Sequence, residues 1–169
     1  MLRKRSLFDA LPLAAVLAVG SCSNDTVLAT RFTATLTGAD EVPANASTAT
    51  ATATFSAVGG ALEYTINVVN ISNAKFAHIH GPAPVGQNAA IIVNLCGTGA
   101  PAPACVSGTG VLAAGTASPL APVSFDSLLV LLRNGNAYVN VHTDDGVTPN
   151  NTGPGDLISG EIRGQVAKQ

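Results

Sequence analysis

An all-β fold, an antiparallel β-sandwich with one short helix, follows from three features of this 169-residue sequence. Apolar residues recur at every second position in several short stretches, which is the period of a half-buried strand. Glycine and proline, 17 and 10 of them, punctuate the chain at short intervals, as tight turns between strands require. Tryptophan is absent, and Ala, Thr and Val abound, a composition that suits pleated strands better than a helical bundle. Roughly six to eight short strands around one core make a single domain of ordinary size.

The first strand is Arg31 to Thr37, with Phe32, Ala34 and Leu36 on one face and Gly38 at its end. Ala39-Asp40-Glu41-Val42-Pro43-Ala44 then breaks the period. Asp40, Glu41 and Pro43 read as a turn with solvated acids, or as one edge of a binding surface. From Thr48 to Phe55 threonine and alanine alternate, a period of two that leaves one face lined with hydroxyls. Gly59-Gly60 turns a hairpin, after which Leu62, Tyr64, Ile66 and Val68 face the core and Glu63, Thr65 and Asn67 face away. Lys75 to His80 is extended and is stopped by Gly81-Pro82-Ala83-Pro84, since proline removes ladder donors. Ala89 to Leu95 is an apolar strand, and Gly108 to Ala113 a short one.

Ser124 to Arg133 is the one helical segment. Ser124 can cap it, Asp126 complements the dipole in the first turn, Leu128, Leu129, Leu131 and Leu132 pack, and Gly135 terminates it. Asn134-Gly135-Asn136 turns the chain into the strand Ala137 to Thr143. A long polar loop, Asp144 to Asp156, leads to the last strand, Leu157 to Val166. There Ile158, Ile162 and Val166 are apolar, while Glu161, Arg163 and Gln165 point the other way. Glu161 and Arg163 read as an exposed or cross-strand ion pair, worth some tenths of a kcal/mol, or as neighbours of a site.

Residues 1–21 are a targeting signal, with Arg3, Lys4 and Arg5 preceding an apolar run from Leu11 to Val19 that is too short for a stable span. Val19-Gly20-Ser21-Cys22 looks like a bacterial lipobox. Acylation of Cys22 would make it the mature N-terminus, anchored at about 0.8 kcal/mol per buried CH₂; an ordinary secretory cleavage near Cys22 is the alternative. Residues 22–30 form a tether, and the domain spans residues 31–167. Without the signal, five Lys/Arg face nine Asp/Glu. That acidic balance excludes nucleic acid as a partner. Cys96 and Cys105 then remain as an even pair in an oxidising compartment, and a disulfide between them would contribute roughly 2–3 kcal/mol.

His78 and His80, one residue apart on a strand, leave the same face about 6.5 Å apart along it. His142, in Tyr138-Val139-Asn140-Val141-His142-Thr143, lies on a second strand. Three neutral imidazoles from two strands suit one copper or zinc ion at about 2.0 Å and leave a position open. Arg163 could meet an anion there and Glu161 could orient a ligand from behind. The alternative is structural, with the imidazoles bonded to backbone carbonyls. Asp144, Asp145 and Asp156 suggest calcium by composition but lack the regular spacing of a calcium loop. Asn45-Ala46-Ser47 and Asn70-Ile71-Ser72 fit glycosylation acceptors, which a bacterial lipoprotein leaves bare. No nucleophile elbow, paired-carboxylate motif or phosphate-cradling glycine loop supports hydrolase or nucleotide chemistry.

Three separated segments resemble the CHRD domain, a module first named from chordin and found in many bacterial secreted proteins. They are Leu36-Thr37-Gly38-Ala39-Asp40-Glu41-Val42-Pro43, then Ala77-His78-Ile79-His80-Gly81, and finally Tyr138 to Thr143 with Gly160-Glu161-Ile162-Arg163-Gly164-Gln165. Ala44 stands where a second proline is common, and the Asp144 to Asp156 loop is longer than usual. The resemblance implies an extracellular β-sandwich and a binding module, with an extracellular protein as its partner and the membrane reached through the lipid. Copper/zinc superoxide dismutases offer a weaker resemblance, through a sandwich of immunoglobulin-like build, a His-x-His strand, a late histidine before an acidic loop, and a C-terminal arginine. His78, His80, His142 and Arg163 can be laid on that pattern, but no histidine remains to bridge a second metal. The expectation is an exported, membrane-anchored protein on the periplasmic or cell-surface side, a metal-binding module rather than an enzyme. A dismutase-like redox enzyme and a metal-free interaction domain are the alternatives.

Overall fold

A computed structural model describes residues 30–99 and 101–169. The signal segment, Cys22 and the tether up to Leu28 and Ala29 lie outside the described residues. Nine strands and one α-helix follow in the order β1 (Arg31–Thr37), β2 (Thr50–Val58), β3 (Ala61–Ile71), β4 (Ala74–His80), β5 (Ile91–Cys96), β6 (Gly108–Ala117), α1 (Phe125–Arg133), β7 (Tyr138–Thr143), β8 (Ile162–Gln165) and β9 (Ala167–Lys168). The fold is all-β and antiparallel with one α-helix.

Alternation places the core. Phe32, Ala34 and Leu36 of β1 are buried, as are Ala51, Ala53 and Phe55 of β2, while Thr50 and Thr52 face solvent. The β2–β3 hairpin pairs Val58 with Ala61 across Gly59-Gly60, both at positive φ, the conformation for which a primed turn selects glycine. Leu62, Ile66 and Val68 of β3 complete that layer. In α1 the Ser124 hydroxyl accepts from the Ser127 N–H at 3.1 Å, and Leu128, Leu129 and Leu132 join the same core.

All strands belong to one sheet, ordered β5-β4-β7-β8-β1-β2-β3-β6, with β9 beside β1. Its two arms form the layers of the sandwich, and its ends nearly meet. Just past β6, Pro119 bridges Val93 of β5, and the Leu120 N–H donates to the Ile92 carbonyl at 2.8 Å. Inside, the Tyr64 hydroxyl donates to the Leu95 carbonyl. Cys96 and Cys105 form a disulfide with Cα atoms 5.2 Å apart.

The last strand is shorter than its apolar pattern suggests. Only Ile162–Gln165 pairs with β7, because Leu157 to Gly160 makes a turn in which the Gly160 N–H donates to the Leu157 carbonyl at 3.0 Å. Gly160 sits at φ +145°, and a Cβ there would come within 2.6 Å of Glu41 Oε1. Glycine allows both the turn and the close approach.

Candidate metal centre

The register of β4 against β7 builds the site. Phe76 pairs with His142, His78 with Asn140 and His80 with Tyr138. Period two then sends Ala77, Ile79, Val139 and Val141 into the core, each fully buried. Phe76, His78, His80, Tyr138, Asn140 and His142 share the other face. Loops following β4 and β7 cover that face, so all three histidines are 5–8 % exposed.

The imidazoles converge. Ring centroids lie 5.1 Å apart for His78 and His142, 5.7 Å for His78 and His80, and 6.0 Å for His80 and His142. One nitrogen from each ring lies within 4.8 Å of the others. Two tautomers are set by backbone carbonyls, which can only accept. His80 Nδ1 meets the Ala89 carbonyl at 3.0 Å and His142 Nδ1 meets that of Ile158 at 2.9 Å. Each Nδ1 therefore carries the proton, and each Nε2 presents a lone pair. These two Nε2 atoms, with Nδ1 of His78, are buried without a hydrogen-bond partner. A buried polar atom left unsatisfied costs about 1–3 kcal/mol, and all three belong to the clustered rings.

Burial, reinforced by the neighbouring imidazoles, pushes His78 down to about 4. Burial likewise lowers His142 to about 4 against the opposing carbonyl of Ile158, and lowers His80. All three rings stay neutral near pH 7, the form that ligates metals. The carbonyl bonds on the far nitrogens have the geometry by which proteins orient ligating histidines. The structural reading of these rings captures part of the arrangement: carbonyls hold two rings, and the opposite nitrogens have no hydrogen-bond partner among the described residues.

Aromatic layers pack behind the rings. Phe76 stacks on His78 at 5.9 Å, and Tyr138 stacks on His80 at 4.8 Å with an interplanar angle of 4°. The Arg163 guanidinium lies over the outer face of Tyr138, 3.4 Å from the ring centroid, a close cation–π contact. Its nitrogens donate to Asn88 Oδ1 at 2.9 Å and to the Gln87 carbonyl at 2.6 Å. Arg163 is thus one ring removed from His80 and anchors the 87–88 loop. That loop continues to Ala89, whose N–H donates to the Tyr138 hydroxyl at 3.1 Å and whose carbonyl orients His80.

Glu161 and Arg163 are neither exposed nor paired with each other; both are 2 % exposed. The Glu161 carboxylate accepts from Ser47 Oγ, from Thr143 Oγ1 at 2.7 Å and from the Gly155 N–H at 2.8 Å. It holds the residue after His142 and touches no imidazole. Glu41 is also not a solvated acid. It is 7 % exposed, faces the Asn140 amide at 3.4 Å, and burial pushes its carboxyl up to about 7 against the lowering effect of Arg163. Glu41 Oε1 and Asn140 Oδ1 have no hydrogen-bond partner among the described residues. Sequence reasoning passed over Tyr138 and Asn140, although they precede His142 by four and two residues on the same strand face. The burial of Glu41 had no such local signal, because Gly160 and Asn140 create it from far along the chain.

Fold and site together define a small antiparallel β-domain with three buried imidazoles gathered on the outer face of its curled sheet. The CHRD domain model matches residues 32–166, and the chain belongs to that family. No curated protein and no solved structure matches it. All three of the chain's histidines are spent in this cluster, so none remains for a second, bridged metal of the dismutase kind.

Proposed function

We propose that the chain is an exported, lipid-anchored protein of the cell envelope whose CHRD domain is a binding module holding one copper or zinc ion through His78, His80 and His142. The observation that carries the metal is the trio of unpartnered nitrogens, Nδ1 of His78 and Nε2 of His80 and His142. Neutral imidazoles suit both metals, and three protein ligands leave a fourth position for water or a partner's side chain. An extracellular protein is the partner this reading assigns, and the membrane is reached through acylated Cys22. The commitment of Arg163 to Tyr138, Gln87 and Asn88 favours a binding module over a dismutase-like enzyme, in which that guanidinium would meet the substrate anion.

Elemental analysis of protein recovered from cells without chelator tests the metal. The expected result is one equivalent of copper or zinc, lost in His78→Ala and His142→Ala. Metal content unchanged in both variants overturns the reading. Fractionation tests the anchor separately, since Cys22→Ala should move the protein from the membrane to the soluble fraction.

A further inference from the structure

We infer that Asp144, Asp145 and Asp156 bind a calcium ion that clamps together the two ends of the loop between β7 and β8. One carboxylate oxygen from each lies within 4.8 Å of the others. Two oxygens on one calcium at about 2.4 Å can be no more than about 4.8 Å apart, so this spacing admits a shared ion.

Clustered acids alone are no site; the independent observation is Asp156. It is 4 % exposed, and its Oδ1 is buried without a hydrogen-bond partner among the described residues. Its Oδ2 is satisfied, accepting from the Thr152 N–H at 3.0 Å and the Thr152 hydroxyl at 2.7 Å. A carboxylate oxygen left bare in the interior is costly, and a cation is the partner that removes the cost. At the other end of the loop, Asp144 Oδ1 accepts from the Gly146 N–H and Asp145 Oδ1 from the Val147 N–H, each at 2.8 Å. These bonds fix both carboxylates.

Charge fits a divalent ion. Lys75 Nζ lies 3.3 Å from Asp144 Oδ2 and offsets one of the three negative charges. An all-oxygen donor set selects a hard cation, whereas the imidazole cluster suits copper or zinc, so the two sites sort different metals. Magnesium fits less well, because it demands near-ideal octahedral geometry and gives up its waters reluctantly, whereas calcium accepts irregular carboxylate cages. The clamp also bears on the histidines. Ile158, two residues past Asp156, supplies the carbonyl that orients His142, and the Leu157 N–H donates to Thr143 Oγ1 at 2.8 Å.

Calorimetric titration of calcium into the chelator-stripped full chain, paired with thermal melts, tests the site. One equivalent should bind, and Tm should rise by a few degrees, with a smaller rise in equimolar magnesium. Asp156→Asn should abolish the response. Because a change at that buried position also disturbs the bonds to Thr152, the exposed Asp145 carries the decisive variant. Asp145→Asn should weaken calcium at least about tenfold and leave the calcium-free Tm unchanged. His142→Ala should keep the calcium response, which separates this site from the imidazole cluster. Absence of binding heat with an unmoved Tm, or wild-type affinity in Asp145→Asn, overturns the inference.

Discussion

Glu41 shows how much of the site depends on burial. Its carboxyl is held up to about 7 by desolvation, against an ordinary value of 4.5. Between those values the folded chain binds the extra proton, so this group makes stability fall as pH rises through that window. Glu41→Gln keeps the shape without the charge. The variant should be more stable than wild type at pH 8, by at most about 3 kcal/mol, and nearly equal to it at pH 5. Urea denaturation at the two pH values measures the difference. The histidines act in the opposite sense. His78 and His142 are lowered to about 4 from 6.5, so the unfolded chain binds more protons between those values. Stability of the metal-free protein should therefore fall on acidification from pH 6.5 to 4, and a flat urea midpoint over that range would contradict the described burial. At this scale the sequence revealed the three histidines that cluster and hid their surroundings. A His-x-His pair and a third histidine on an alternating strand are local patterns. The stack of Arg163 on Tyr138 joins two different strands, and the enclosure of Glu41 by Asn140 and Gly160 depends on residues about a hundred positions away.

Strands were the most legible elements, because alternation of buried and exposed residues in β1, β2 and β3 is written directly in Phe32, Ala34, Leu36 and their partners. The helix was legible through its cap. Ser124→Ala removes the acceptor of the Ser127 N–H and should cost about 1 kcal/mol, read as a lowered thermal midpoint. Strand β8 was misjudged at its start, since Leu157 and Ile158 continue the apolar pattern while Gly160 bends the backbone away from the sheet. The same short strand contains the tightest backbone approach in the centre of the sheet. A Cβ on Gly164 would lie 2.1 Å from the Thr35 carbonyl oxygen and 2.7 Å from its carbon. Neither atom can yield without parting β8 from β1. Gly164→Ala should therefore cost about 3 kcal/mol or more, checked by circular dichroism melts.

The molecule as a whole is one sheet that curls until β5 and the segment after β6 touch. Alternation predicts that strands exist and which faces they bury; it does not order them. A two-layered sandwich was legible for that reason, and the continuity of its layers through β8 was not. The disulfide sits beside the closing edge, at the end of β5. Replacing both Cys96 and Cys105 by serine should cost roughly 2–3 kcal/mol, measured by denaturant midpoint, since the bond restricts a short loop of the unfolded chain. The strand order also sets a sequence of events. β1, the first of the described strands in chain order, pairs toward β7 through β8, the eighth of them. The hairpin partners β2 and β3 can form early, as can the β4 pairing with β7 that gathers the imidazoles. In the sheet, the two halves are joined through β8. A chain truncated before Ile162 would keep the three clustered histidines and lose the strand that joins the two halves of its sheet, a non-local pairing typical of β topologies.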